Sequence, residues 1–236
     1  MSKLIKPPFT KRIALFGRMG SGKSELSSRL TDFTKIAWGD AVKSEALAYG
    51  LTHDLSKIDK SKDRAVLQSI GQMRRGEIED FFFPSGHAYM TVTPYGKFAW
   101  IDYHTARWDT ETRKSIPQHR LLGPCYADYW VDQALPRIKA YLEVDKQIVN
   151  DDIRRWNEFN ALKSLGFLMV KVHACSEVRI QRMLLRDDGV DLKTLNDISE
   201  SELDALPFDV IINNNDTIEE AWNSLLDIIS QQFGSN

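Results

Sequence analysis

Residues Gly17-Arg18-Met19-Gly20-Ser21-Gly22-Lys23-Ser24 fill every fixed position of the pattern G-x-x-x-x-G-K-[ST]. Glycines let such a loop wrap closely around phosphate oxygens and aim backbone N–H groups at them. A helix that begins where the loop ends adds its positive N-terminal end. In that frame Lys23 reaches the β- and γ-phosphates of a nucleotide, and the Ser24 hydroxyl holds Mg²⁺. The expected ligand is ATP with its magnesium ion. The pattern is silent on what receives a phosphate.

Two further groups have residue types suited to phosphoryl transfer. Asn150-Asp151-Asp152-Ile153-Arg154 follows a short apolar run at 147–149. A carboxylate just past a buried parallel strand stands at the sheet's carboxyl edge, where it holds magnesium directly or through water. Position alone leaves Asp151 and Asp152 both as candidates, and a solvated strand-end turn is the plain alternative. Arg179, Arg182 and Arg186 are spaced i, i+3, i+7, so a helix puts them on one face, beside Ile180, Met183 and Leu184. Guanidinium groups there can neutralise the charge that spreads over a transferring phosphoryl group, against the alternative of a solvated basic face. The five histidines, His53, His87, His104, His119 and His173, have no regular ligand spacing. Lys57, Lys60, Lys62 and Arg64 mix with Asp59 and Asp63 in what reads as a solvated helix start.

The elements that would position these groups alternate. Short apolar runs at 12–16, 34–38, 147–149, 167–173 and 209–213 read as strands. Helical patterns cover 23–30, 40–49, 157–165, 176–187 and 217–232. Thr217 and Glu220 have capping-box spacing at the start of the last helix. Strands alternating with helices predict a parallel sheet covered on both sides. Residues 80–126 break the rhythm with clustered aromatics and Pro84, Pro94, Pro117 and Pro124. Segments 87–93 and 98–104 fit a hairpin around Pro94-Tyr95-Gly96-Lys97. This stretch reads as an aromatic-rich insertion with a small satellite core of its own. The expected organisation is a single domain over 1–236, with the insertion at about 80–126 and a lid region at about 176–200.

Composition narrows the classes. The chain has 236 residues, 42% of them hydrophobic and 27% charged, which suits a folded α/β domain. A net charge of −2 and a pI near 6.2 disfavour bulk binding to nucleic acid. Cys125 and Cys175 match no metal or redox spacing, so a reducing cytoplasm is the expected location. No apolar run approaches a membrane span, and the basic N-terminus lacks the apolar core of a signal peptide.

In their order, these pieces resemble a nucleoside monophosphate kinase, and more closely the deoxynucleoside monophosphate kinases of tailed bacteriophages. Beyond Gly17–Ser24, Trp38-Gly39-Asp40-Ala41-Val42-Lys43 is similar to that family's "ADPLK" segment, with Gly39 and Val42 as departures. Arg64-Ala65-Val66-Leu67-Gln68-Ser69-Ile70-Gly71 is similar to "R-x-x-L-Q-x-x-G", with Tyr129-Trp130-Val131 further on. Asp152-Ile153-Arg154-Arg155-Trp156-Asn157-Glu158 is similar to "DVRFPNE". The match spans roughly 12–80 and 126–230, and Pro136 interrupts the helical pattern that starts near Asp128.

The resemblance implies a three-layer P-loop kinase fold with a five-stranded parallel sheet flanked by helices. It implies transfer of the γ-phosphate of ATP to a deoxynucleoside monophosphate. Asp40, Lys43, Arg64, Gln68 and Trp130 would line the acceptor site, with Asp152 and Arg154 facing the transferring phosphate. Arg182 and Arg186 would belong to a lid over ATP, and Ser24 and Asp152 would hold Mg²⁺. The partners expected are small-molecule nucleotides, with no membrane and with homodimer formation left open. Two other readings stand beside this one. One is a P-loop kinase acting on another acceptor, such as a modified base in DNA. The other is a nucleotide-binding regulatory or assembly ATPase.

Overall fold

The computed structural model describes residues 11–48, 64–78, 80–82, 88–92, 97–109, 114–185 and 198–233. In chain order the elements are β1 (Arg12–Phe16), α1 (Lys23–Arg29), β2 (Thr34–Ile36), α2 (Gly39–Ala48), α3 (Arg64–Arg74), β3 (Asp80–Phe82), β4 (Ala88–Val92), β5 (Lys97–Asp109) and β6 (Lys114–Pro124). They continue with α4 (Tyr129–Glu143), β7 (Ile148–Asn150), α5 (Trp156–Ser164), β8 (Leu168–His173), α6 (Ser176–Leu184), α7 (Ile198–Ala205), β9 (Val210–Asn213) and α8 (Ile218–Phe233). Two compact units result, Met1–Gly39 with Ala134–Asn236, and Asp40–Gln133.

The first unit is an α/β fold around a five-stranded sheet in the order β2-β7-β1-β8-β9, and every pairing is parallel. The central strand explains why both faces are covered. Ile13, Ala14, Leu15 and Phe16 are all at most 1% exposed, and alternate side chains leave a strand on opposite faces. Ile13 and Leu15 join Leu26 and Leu30 near α1 and Ala221 and Leu225 of α8 in one cluster. Phe16 packs edge-on against Phe159 of α5, with ring centroids 5.8 Å apart. The last helix begins as its spacing predicts, with Glu220 N–H donating to Thr217 Oγ1 at 3.3 Å.

The second unit holds a four-stranded antiparallel sheet, β3-β4-β5-β6. The expected hairpin is there, since Ala88–Val92 pairs with residues 98–102 of β5. The strand β6 was not anticipated, because Pro117 and Pro124 read as breaks. It lies at the sheet edge, where a missing N–H is tolerated. Pro117 also sits where the register jumps, between the pairs Arg107↔Ile116 and Asp102↔Gln118. The bulge on β5 absorbs the lost ladder bond. A second difference concerns Pro136, which does not end a helix. α4 runs from Tyr129 to Glu143 straight through it. The local cost is the hydrogen bond that a residue 136 N–H would give to the Asp132 carbonyl.

Candidate functional site

Register places the first ingredients. Ala14 pairs with Asn150 and Phe16 with Lys171, so the chain segments after β1 and β7 leave the same edge of adjacent parallel strands. The Gly17–Ser24 loop occupies that edge. Gly20 has φ +80° and Gly22 has φ +93°, a left-handed backbone that suits glycine. Space excludes larger residues as well. A Cβ on Gly20 would stand 2.8 Å from the Arg179 carbonyl oxygen, and one on Gly22 would stand 2.2 Å from Asn214 Nδ2. Gly22 is the N-cap of α1 and supplies no side chain to its first turn.

Two buried polar residues brace this loop from below. Arg179 is 6% exposed, and its guanidinium donates to the Met19 carbonyl at 3.2 Å and to Ser176 Oγ at 3.3 Å. Asn214, 1% exposed, donates from Nδ2 to the Ser21 carbonyl at 2.8 Å. Both bonds turn loop carbonyls inward. The buried Ser21 hydroxyl has no partner among the described residues. With the Met19 and Ser21 carbonyls bonded by Arg179 and Asn214, a loop of this kind suits a polyphosphate. Lys23 is half-buried and Ser24 exposed at the start of α1.

The carboxylates after β7 separate cleanly. Asp151 is 5% exposed and pairs with Lys35 Nζ at 2.7 Å. Asp152 is partly open. Its Oδ2 accepts the Gly39 N–H at 3.0 Å, and its Oδ1 accepts Arg154 Nε at 3.2 Å. Asn150 Oδ1 in turn accepts the Asp152 N–H at 3.1 Å. Glu158, buried on α5, accepts the N–H groups of Arg154 and Arg155 at 2.7 and 3.2 Å and holds the turn. Of the two candidates, Asp152 is the more open. Among the described residues no group of three or more His, Cys, Asp or Glu side chains converges. Magnesium bound with nucleotide takes one or two protein oxygens, phosphates and water, which Ser24 and Asp152 suit.

The arginine row on α6 is not a uniform basic face. Arg179 is buried under the loop. Arg182 donates to the Asn214 carbonyl at 2.8 Å, to Asn214 Oδ1 at 3.4 Å and to the Asp216 carbonyl at 3.2 Å. Its guanidinium therefore shapes the segment between β9 and α8. Arg186 lies outside the described residues, as does 186–197 of the expected lid. Arg18 pairs with Asp204 of α7, and Arg155 with Glu202 at 3.3 Å. The buried Leu203 between those acids anchors the helix.

In the second unit, Asp40 and Lys43 lie at the start of α2, 3.4 Å apart. Arg64 opens α3, and Gln68 is exposed on the same helix. Trp130 is 2% exposed and donates its indole N–H to the Gly71 carbonyl at 3.0 Å. It packs α4 against α3, which is a core role rather than ligand contact. Beside it, Arg74 is buried, pairs with Glu45 at 2.6 Å, donates to the Pro124 carbonyl at 2.9 Å and lies 4.5 Å over the Tyr129 ring. The Tyr129 hydroxyl donates a hydrogen bond to Glu45 Oε2 at 2.9 Å. Burial first, and then the Glu45 charge, push its pKa up to about 12. Burial likewise raises the Cys125 thiol.

Sequence reasoning missed Asn214 and the inward role of Arg179. A carboxamide just after a buried strand, in Asn213-Asn214-Asn215-Asp216, was the available signal for the first. Nothing in the spacing of Arg179 distinguishes it from Arg182.

Among known proteins, no family model and no curated relative matches this chain. One solved structure that is similar in shape is described as the crystal structure of TT1252 from Thermus thermophilus. It is 12% identical, with a TM-score of 0.47, over 94% of this chain and 98% of that one. No helix among the described residues is long and apolar enough to cross a membrane.

Proposed function

We propose that the chain is a P-loop phosphotransferase that moves the γ-phosphate of ATP to a deoxynucleoside monophosphate, giving ADP and a deoxynucleoside diphosphate. The observation that carries the first half is the Gly17–Ser24 loop, with its carbonyls tied back by Arg179 and Asn214 and with Asp152 at the end of the adjacent strand. The second half rests on the resemblance of the segments around Asp40, Arg64 and Asp152 to the phage enzymes.

In this reading an oxygen of the acceptor phosphate forms the new P–O bond as the bond to ADP breaks. The acceptor is already anionic, so positioning and charge neutralisation matter more than a strong base. Lys23 holds the β- and γ-oxygens, and Arg154 offers a charged fork to the transferring group. Ser24 and Asp152 would hold Mg²⁺, which supplies further neutralisation of phosphate charge. Asp40, Lys43, Arg64 and Gln68 are the proposed acceptor contacts. Arg182 acts here through the Asn214–Asp216 segment rather than on phosphate.

The test is Lys23→Ala. The variant is expected to fold and to lose phosphoryl transfer by about 10³-fold, a barrier increase of about 4 kcal/mol. Retention of more than about a tenth of the wild-type rate would contradict the role given to Lys23.

A further inference from the structure

Residues 152–156 form an alternating strip. Ile153 is fully buried, and Arg155 turns to Glu202. Asp152 and Arg154 meet each other on the opposite side, at 3.2 Å. Arg155 is extended, with φ −132° and ψ 156°, and in an extended chain residues two apart project to one side. Trp156 follows Arg154 by two residues and, like it, is exposed. At about 3.3 Å per residue its Cα lies at most roughly 6–7 Å from that of Arg154.

This indole is 43% exposed although it opens a helix whose next aromatic, Phe159, is 3% exposed. It is nevertheless fixed in place. Its ring packs edge-on against Phe159 at 6.1 Å, and Phe159 packs edge-on at 5.8 Å against Phe16, the residue before Gly17. The segment also departs here from the phage pattern, which has Phe-Pro where this chain has Arg155-Trp156. A packed, half-open aromatic two residues from an exposed guanidinium has the form of a stacking platform.

We infer that Trp156 stacks on the base of the acceptor nucleotide whose phosphate lies at Arg154. The inference rests on the proposed acceptor being a nucleoside monophosphate, and it deepens that reading by assigning the surface that recognises the base. Stacking tolerates every base, because each has a π-face, so Trp156 gives affinity for a nucleobase without selecting one.

The experiment compares wild type, Trp156→Ala and Trp156→Phe by calorimetric titration with deoxynucleoside monophosphates and, separately, with 2-deoxyribose 5-phosphate, which lacks a base. Steady-state kinetics with ATP are run alongside. Trp156→Ala is expected to weaken nucleotide binding and raise its KM at least about fivefold, the low end for a base–aromatic stack. The ATP KM and kcat should stay within about twofold, Trp156→Phe should recover most of the loss, and 2-deoxyribose 5-phosphate should bind both proteins alike. Equal nucleotide affinity in wild type and Trp156→Ala overturns the platform and leaves the kinase reading standing. A parallel loss for 2-deoxyribose 5-phosphate also overturns it, because the change would then be structural. Wild type that binds nucleotide through Trp156 but transfers no phosphate sinks the kinase reading alone. Wild type that neither binds nor phosphorylates these nucleotides sinks both.

Discussion

Lys35 Nζ lies 2.7 Å from the Asp151 carboxylate, an ion pair between β2 and the end of β7 in which the acid is 4% exposed. Asp151 thereby joins neighbouring strands, and Asp152 is left as the more open carboxylate at the end of β7. Removing Lys35 would strand the buried Asp151 charge, whereas removing either aspartate strands none, since Lys35 is 47% exposed and Arg154 more so.

The two neighbours should accordingly separate in experiment. Asp152→Asn is expected to fold with near-native stability, to lose at least about 10²-fold in turnover and to need more magnesium. Lys35→Met, which leaves the buried Asp151 carboxylate without its charged partner, should lower stability by about 1–3 kcal/mol, with a smaller effect on rate. Denaturant titration and a magnesium-dependent rate assay on both variants make the comparison. Equal losses of rate in both would remove the distinction.

Gly39 offers a subtler probe of the same carboxylate. A Cβ there would lie 3.1 Å from Asp152 Oδ2, closer than side chains normally approach, so the carboxylate must shift by a few tenths of an ångström. Gly39→Ala should leave the melting temperature within a few degrees while lowering kcat about tenfold and raising the magnesium requirement. Unchanged magnesium dependence would place the ion away from Asp152.

Arg179 and Arg182 can be distinguished in the same way. Arg179→Met removes the brace on the Met19 carbonyl, so the ATP KM should rise by about tenfold or more, with loss of stability from the unpaired carbonyl. Arg182→Met frees the segment 214–216 instead, and its effect should fall on nucleotide affinity more than on kcat. Kinetics with ATP varied at saturating acceptor reads both. A fall in kcat at constant ATP KM for Arg182→Met would return that residue to direct contact with the transferring phosphate.

Arg74→Met tests the second unit on its own terms. Arg74 is 1% exposed and bonds Glu45 and the Pro124 carbonyl. Loss of a buried pair partner costs about 3–5 kcal/mol. Denaturation followed by near-ultraviolet signals from Tyr129 and Trp130 should show it.

How much of this was legible in the chain depended on the kind of constraint. The five parallel strands were readable because a strand buried on both faces must be apolar throughout, as Ile13–Phe16 and Leu168–Val170 are. The Gly17–Ser24 loop was readable because only glycine fits beside Arg179 and Asn214. Strand β6 was hidden because proline is excluded from central ladders but not from an edge beside a bulge. The helix through Pro136 was hidden for a related reason, since packing outweighs one lost bond. Spacing put Arg179, Arg182 and Arg186 on one face, yet depth along that face decides function, and depth is a tertiary property. Asp151 and Asp152 were equivalent by position, and only the partner on β2 separates them.

The central claim is transfer from ATP to a deoxynucleoside monophosphate, and one measurement addresses it most directly. Purified protein is incubated with γ-labelled ATP, Mg²⁺ and each deoxynucleoside monophosphate in turn, and the products are resolved. The account predicts label in a deoxynucleoside diphosphate, ADP formed in equal amount and only when an acceptor is present, and neither product with Lys23→Ala. Inorganic phosphate released at the same rate with and without acceptor, and no labelled diphosphate, would contradict it.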